Sequence, residues 1–337
     1  MNRDDSHCQP KQLSVVPLVV AVVVNWNGER DTIECLEALL ASEYQNLSVI
    51  VVDNGSAANS LNAIKDWAQT QLLLNPQRAW SAATRFQVIF PPTNGEWNKR
   101  SWEERALLML VPMQHNLGFG AGNNVGIKLA LSNTSTEFVW LLNNDAVPTA
   151  RCLDQMVSRI QRDPDVGMCG CRLLFYREPE LVQALGGARF YPWIAESRDI
   201  GYLSRADRKV DSSKIEAKLD HLSGASMLVR RSFIEDVGLL DEGYFLYYEE
   251  MDWIIRSAAR YKLAYADDAV VHHKLGASTC GSDFDRKLHR SSLSAFFMTK
   301  SRLRFTRKFY PWALPTVVGY CILWALWTYA RGRRPQA

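Results

Sequence analysis

Three times in this chain a short, uncharged run rich in β-branched residues stops at a cluster of small polar side chains, and that recurrence restricts the fold more than any other feature. Pro17 to Val24 ends in Asn25-Trp26-Asn27-Gly28, Ser48 to Val52 in Asp53-Asn54-Gly55-Ser56, and Phe138 to Leu142 in Asn143-Asn144-Asp145. Short apolar runs of this kind are strands buried on both faces. Amphipathic patterns from about Arg30 to Leu40 and from about Asn59 to Thr70 predict helices after the first two runs. Strand, polar tip and helix in succession make βαβ units, whose right-handed crossovers leave all the strand tips on one edge of a parallel sheet. Open α/β sheets bind their ligands at that carboxyl edge. The expected class is therefore α/β, a mainly parallel central sheet flanked by helices, with Asn25, Asp53 and Asp145 converging. Each tip alone also fits an ordinary turn, with φ > 0 at Gly55 and Asn143 to Asp145 leading into a helix from Thr149.

Further motifs add polar groups to the same edge. Leu107 to Val111 resumes the sheet, and Asn116-Leu-Gly-Phe-Gly-Ala-Gly-Asn-Asn124 opens a helix reaching about Leu131, where glycines let backbone N–H groups approach an anion. A dinucleotide fingerprint would need a third glycine where Asn123 stands, which argues against a Rossmann dehydrogenase. Leu222 to Arg231 reads as a strand entering a helix. Beyond it Asp241, Glu242, Glu249, Glu250 and Asp252 crowd an aromatic stretch, where burial and mutual repulsion raise carboxyl pKa values towards those of a general base. The same acids also fit the first turn of a helix running to about Arg260. His272, His273 and Lys274 end one more strand, a cluster suited to diphosphate or metal. Between about 71 and 105, Trp80, Trp97 and Trp102 lie among polar residues without period, which reads as an insertion forming an accessory hairpin or lid.

Composition sets the bounds. A formal charge of +3 gives no reason to expect nucleic acid, and seven cysteines without a Cys-x-x-Cys pair exclude a disulfide framework or zinc cluster and suit a reducing compartment. Residues 1–16 form a polar tail without the apolar core of a signal peptide. At the other end, Phe309 to Ala330 are 22 uncharged residues rich in Trp and Tyr, flanked by Arg302, Arg304, Arg307 and Lys308 before and Arg331, Arg333 and Arg334 after. Pro311 and Pro315 leave only 15 uninterrupted residues, Thr316 to Ala330, short of the ~20 that span hydrocarbon. The segment from 306 on therefore reads first as an interfacial anchor on anionic lipid, then as a short transmembrane helix, then as a subunit-contact helix.

Taken in order, Asn25 to Gly28, Val51 to Ser56, Asn116 to Asn124, Leu141 to Asp145, Gly224 to Arg231, Tyr247 to Trp253 and His273 to Ser278 resemble family 2 glycosyltransferases, nearest the bacterial rhamnosyltransferase-like members. The resemblance covers about 17–305 apart from the insertion. It implies a GT-A fold, a nucleotide-sugar donor (dTDP- or UDP-linked), Mg²⁺ or Mn²⁺, and inversion at the anomeric carbon. It implies that Asn25, Asn27 and Asp53 contact the nucleoside, that Gly118, Gly120, Asn123 and Asn144 lie beside the nucleotide, and that His273 faces the diphosphate. Asp145 takes the metal position of an Asp-x-Asp motif whose first acid is Asn143 here, and Glu250 takes the place of the catalytic base. The acceptor is expected to be a lipid-linked or polysaccharide glycan, and the site the cytoplasmic face of the inner membrane. Two alternatives remain open, a non-catalytic nucleotide-sugar binding module and a sugar nucleotidyltransferase; the second lacks its Arg-bearing glycine-rich loop.

Overall fold

A computed structural model describes residues 16–74, 86–92, 97, 108–274 and 292–330. The first half runs β1 (Leu18–Asn25), α1 (Glu29–Leu40), β2 (Leu47–Asp53), α2 (Ala58–Leu74), β3 (Phe86–Val88), β4 (Leu108–Pro112), α3 (Phe119–Ser132), β5 (Thr136–Asn143), β6 (Ala146–Pro148) and α4 (Cys152–Gln161). The second runs β7 (Val166–Phe175), β8 (Val182–Leu185), β9 (Gly187–Tyr191), β10 (Glu196–Asp199), α5 (Ser212–Glu216), β11 (His221–Leu222), β12 (Ser226–Arg230), α6 (Arg231–Val237), α7 (Glu249–Arg256), β13 (Lys262–His273), α8 (Ser292–Phe309) and α9 (Leu314–Ala330).

β1 accounts for the layered architecture. Val19 to Val23 are fully buried; Val19, Ala21 and Val23 face one core with Cys35, Leu36 and Leu39 of α1, whereas Val20 and Val22 face another with Ile127 and Leu129 of α3. An uncharged β-branched run has nowhere else to go than between two helical layers. The main sheet has the order β3-β4-β2-β1-β5-β12-β7-β13-β6, with β8 on β7. β3, β4, β2, β1 and β5 are parallel neighbours, and β13 is parallel to β7. β12 runs antiparallel between β5 and β7, so its amino end meets the carboxyl tips of the other strands. Register sets Asn25 opposite Asp53, and Val24 opposite Asn143.

The structure departs from the sequence reading at four places. No helix follows Asp145 directly: β6 pairs antiparallel with β13, setting Ala146 opposite His273, and α4 starts only at Cys152. Pairing with a neighbouring strand won over the local capping signal, and it carries Asp145 to His273. Within the stretch read as an insertion, α2 continues to Leu74 and β3 joins the sheet as a parallel edge strand, while Trp80 and Trp102 lie outside the described residues. α7 stops at Arg256, because Ala258 and Ala259 take left-handed φ values of 50° and 57°. The C-terminal segment is two helices, α8 and α9, joined by a 3-10 turn at Pro311–Ala313. Among the described residues, no helix is long and apolar enough to cross a membrane.

Candidate active site

The strand tips form one connected polar edge. At its amino-terminal end Asn25, wholly buried, donates from Nδ2 to Asp53 Oδ1 at 2.7 Å, while its Oδ1 accepts from Gly28 N at 3.2 Å and Thr32 Oγ1 at 2.9 Å. Asp53 is nearly as buried, and its Oδ2 accepts from Ser56 N at 3.3 Å. These two residues, expected as nucleoside contacts, brace the turn. The exposed groups here belong to Trp26 and Asn27, with Ser56 partly exposed; Asn27 donates from its backbone to Ser56 Oγ at 2.9 Å and accepts from Ala57 N at 2.8 Å. Asn144 bridges to the next tip, donating to Thr32 Oγ1 at 3.1 Å. Asn54, which sequence reading passed over, ties the edge to the following loop by donating to Asn116 Oδ1 and Gly118 O at 3.0 and 3.1 Å.

The middle of the edge holds Asn143, Asp145 and His273. His273 Nδ1 lies 3.0 Å from Gln183 Oε1, an acceptor, so Nδ1 carries the proton. Its Nε2 lies 3.1 Å from Asp145 Oδ1 and 3.4 Å from the Asn143 carboxamide nitrogen, while the Asn143 Oδ1 is buried with no hydrogen-bond partner. An imidazole nitrogen and a carboxylate oxygen at this distance, beside an orphaned carbonyl oxygen, are surroundings a cation satisfies. Among the described residues no three His, Cys, Asp or Glu side chains cluster for a metal. The donor set here is one carboxylate, one imidazole and one amide oxygen, which fits Mg²⁺ or Mn²⁺ when substrate phosphates and water complete the shell. Lys274 turns away, its ammonium 2.7 Å from Asp31 and 2.5 Å from Glu34 of α1.

The far end carries the carboxylates. Of the five acids noted in sequence, Asp241 pairs with Lys308 at 2.8 Å and Arg304 at 3.2 Å, Asp252 with Arg256 and Lys308 at 2.6 and 2.5 Å, and Glu242 accepts from Asn124 at 2.9 Å. Burial opposes ionisation of Asp241, but Lys308, the Gly243 N–H and Arg304 hold its pKa down to about 2. Glu249 is buried with Oε2 unpartnered, and burial, then the neighbouring Glu250 carboxylate, push its pKa well up. Glu250 is partly exposed; burial raises its pKa, and His221 partly offsets the rise. Ala225 O accepts from Asn143 N at 3.0 Å, and a Cβ on the adjoining Gly224 would come within 4.0 Å of the Glu250 carboxyl, so the middle and the far end adjoin. His221, unremarked in sequence, lies 2.8 Å through Nε2 from Ser197 Oγ and 2.9 Å through Nδ1 from Leu222 O. Its position at the opening of a short strand before Gly224 was the one available signal.

Two consecutive left-handed tyrosines, Tyr247 at φ 70° and Tyr248 at φ 72°, present Glu250. Non-glycine residues in this region cost about 1–3 kcal/mol each. Tyr248 Oη donates to Ala195 O at 2.5 Å and accepts from Arg302 Nε at 3.1 Å; Tyr247 Oη meets Ser294 Oγ at 2.6 Å; Ser301 Oγ donates to Leu246 O at 2.8 Å. Arg302, buried, is ion-paired to Glu196.

The glycine-rich turn does something other than cradle an anion. Gly118 has φ +90°, and a Cβ there would strike the Phe245 carbonyl, which also accepts from Phe119 N at 2.8 Å. Gly120 packs near Leu240 and Glu249, and Asn123 is buried with its amide donating to Phe119 O at 3.0 Å. Gly118, Gly120 and Asn123 therefore seat α3 against the turn that bears the acids.

Comparison with known proteins accords with this geometry. The model of Glycosyl transferase family 2 matches residues 20–89 and 106–238. A low-salt glycan biosynthesis hexosyltransferase of Haloferax volcanii is 27% identical over 180 residues, 52% of this chain and 54% of that protein. The chain thus spans about half the length of this relative. A mannosyltransferase from Pyrobaculum calidifontis, solved with GDP-Man and Mn²⁺, aligns over 93% of this chain and 76% of its own with a TM-score of 0.50 at 16% identity. GalNAc-T7, solved with UDP, GalNAc and Mn²⁺, aligns over 77% and 44% with a TM-score of 0.54 at 14% identity. The fold is thereby of the GT-A type, a mostly parallel sheet flanked by helices.

Proposed function

The chain belongs to glycosyl transferase family 2, and from that premise we propose that it is an inverting hexosyltransferase using a nucleotide-sugar donor and Mg²⁺ or Mn²⁺, with a lipid-linked glycan as acceptor at the cytoplasmic membrane face. Rhamnose from a dTDP donor is the first sugar to test. The observation that carries the reading is the centre of the edge, where Asp145 and His273 meet at 3.1 Å beside the orphaned Asn143 oxygen, with Glu250 bordering Gly224 next to it. The solved neighbours, which hold GDP-Man, UDP and Mn²⁺, support a nucleotide-sugar donor and a divalent cation.

In this reading Asn143, Asp145 and His273 hold the cation, which when bound supplies positive charge against the departing diphosphate. Asn27 and Ser56 receive the nucleoside on the turn that Asn25 and Asp53 brace. Glu250 removes the proton of the acceptor hydroxyl as that oxygen attacks the anomeric carbon opposite the leaving group, so one displacement inverts the centre. Burial raises the Glu250 pKa towards neutrality, the range where a base both accepts a proton and is ionised. A binding module would have no use for a partly exposed, pKa-raised carboxylate held by a strained turn, and that disfavours the non-catalytic alternative.

Calorimetry with dTDP-rhamnose, UDP-glucose, UDP-galactose and GDP-mannose, each with and without Mn²⁺, tests the proposal. Metal-dependent binding of one donor that disappears in Asp145→Ala is expected. Equal binding with and without metal would remove Asp145 and His273 from the role assigned to them.

A further inference from the structure

We propose that α9 and the β9–β10 hairpin together form a docking surface for the headgroup region of an anionic lipid bilayer, an inference that deepens the lipid-linked acceptor reading and rests on it. The start of α9 is packed on one side: its Val317, and Ala313 of the 3-10 turn before it, are buried with Phe305 of α8. The other side is apolar and open, with Ile322, Leu323, Trp324 and Leu326 exposed by 55%, 68%, 41% and 60%. Three of these are consecutive, so around Ile322 to Trp324 the helix stands clear of the body on more than one face. A helix whose solvent side is apolar belongs against something apolar.

The hairpin extends this surface from a remote part of the chain. Trp193, 61% exposed, meets Trp312 edge to face at 4.6 Å between ring centres, and Thr316 Oγ1 donates to Trp193 O at 2.7 Å. These contacts join the hairpin tip to the start of α9 in one aromatic rim, the residue type preferred at a membrane interface. Charge points to anionic lipid as the occupant. Phe309 to Ala330 contain no charged residue, Arg331, Arg333 and Arg334 follow directly in sequence, and Arg189 and Arg198 are exposed on the hairpin, Arg198 lying 5.1 Å from the centre of the Tyr191 ring. Inserted end-on, α9 would fall short of the ~30 Å hydrocarbon core, and the three arginines that follow it in sequence would have to enter that core, at high cost. Laying it in the plane of the interface, over about 25 Å of helix, keeps both ends among phosphates.

The consequence reaches the site. β10, the second strand of the hairpin, carries Glu196, paired with Arg302 behind the Tyr248 turn, and Ser197, whose hydroxyl meets His221 beside Glu250. Docking in the plane therefore sets the acceptor side of the edge at the bilayer, where the hydroxyl of a lipid-linked glycan would approach Glu250.

The test is co-sedimentation of the full chain, without donor, with phosphatidylcholine vesicles and with vesicles containing about 30% phosphatidylglycerol. The expected result is binding to the anionic vesicles, weakened about tenfold by Trp193→Ser and by Leu323→Glu, each first shown by circular dichroism to be folded. Wild-type affinity in folded Trp193→Ser would remove the hairpin and overturn the two-element surface. No vesicle binding, with self-association that Leu323→Glu abolishes, would assign the surface to a second copy and overturn the lipid proposal. Because no donor is present, neither outcome touches the transfer reading, which fails separately if vesicle binding is intact and no nucleotide sugar is turned over.

Discussion

The two ends of the polar edge are built by different means. At the end proposed for the donor, parallel register sets Asn25 opposite Asp53, and the segments directly after those two strands bring Thr32 and Ser56 to them. At the end proposed for the acceptor Glu250 follows two left-handed tyrosines held by groups from α8 and the loop before β10, 50 or so residues away in either direction. A site can thus take precision from backbone pairing where it binds, and from remote side chains where it reacts. Each way of building fails differently when a single residue is changed.

The largest separation of the two ends is expected in Glu250→Gln. Loss of a positioned base removes ~10²–10⁴-fold of rate, while the donor end, with no contact to Glu250, keeps its affinity. Nucleoside diphosphate release in the presence of acceptor, set beside calorimetric donor binding, measures both; full turnover in this variant would take the base role from Glu250. Asn25→Ala should strike the other end. It strands the buried Asp53 carboxylate and removes the acceptor of Thr32 and Gly28, at a cost of about 3 kcal/mol in unfolding free energy. Urea titration checks this, and an unchanged midpoint would mean that water or a rearranged Ser60 replaces the amide.

Arg302→Met is a smaller perturbation of the acceptor end. It removes the donor to Tyr248 Oη and the partner of Glu196, which is about a third exposed. The stability loss should therefore stay near 1–2 kcal/mol. The turn loses its brace, so kcat should fall roughly tenfold with KM for the donor unchanged. A rise in donor KM without a fall in kcat would show that Arg302 serves the donor end, and would erase the contrast drawn between the two.

What could be read in the sequence follows the same division. Strand tips are local signals: Asn25, Asp53 and Asp145 each close an apolar run, and their convergence follows from right-handed crossovers. Even there the sequence does not reveal depth: Asn25 and Asp53 are buried and brace the turn. Alternating glycines read as an anion cradle, yet Gly118 is needed because the Phe245 carbonyl presses on α3, a contact between segments over a hundred residues apart that no local pattern encodes. Five acids in one stretch looked equivalent. Tertiary partners distinguish them: cations of α7 and α8 claim Asp241 and Asp252, the Asn124 amide meets Glu242, and among the described residues Glu249 and Glu250 form no ion pair. Trp193 and Trp312 likewise meet across more than a hundred residues.

Glu249 sharpens the comparison with the least disturbance. At the donor end the buried Asp53 carboxylate is met by Asn25 and by the Ser56 N–H, whereas Glu249 has an unpartnered oxygen and a like-charged neighbour. Its pKa in the folded protein lies above the ordinary value of 4.5, so the folded state holds the proton more tightly than the unfolded chain. The stability it contributes is complete below that ordinary value. It is lost as pH rises through the folded pKa, with a slope of at most about 1.4 kcal/mol per pH unit for one proton. Glu249→Gln has no proton to lose. Its melting temperature should therefore be near that of the wild type at pH 4 and should pull ahead as pH rises, until the folded pKa is passed. The packing cost of an amide at Oε2 is the same at every pH and cancels from the trend. Repeating the scan in a Glu250→Gln background removes the repulsion and should shrink the gap. A gap that stays flat with pH would mean that folding leaves the Glu249 pKa at its ordinary value, and a gap that closes or reverses as pH rises would mean that the ionised carboxylate is stabilised and this end is as fully satisfied as the other.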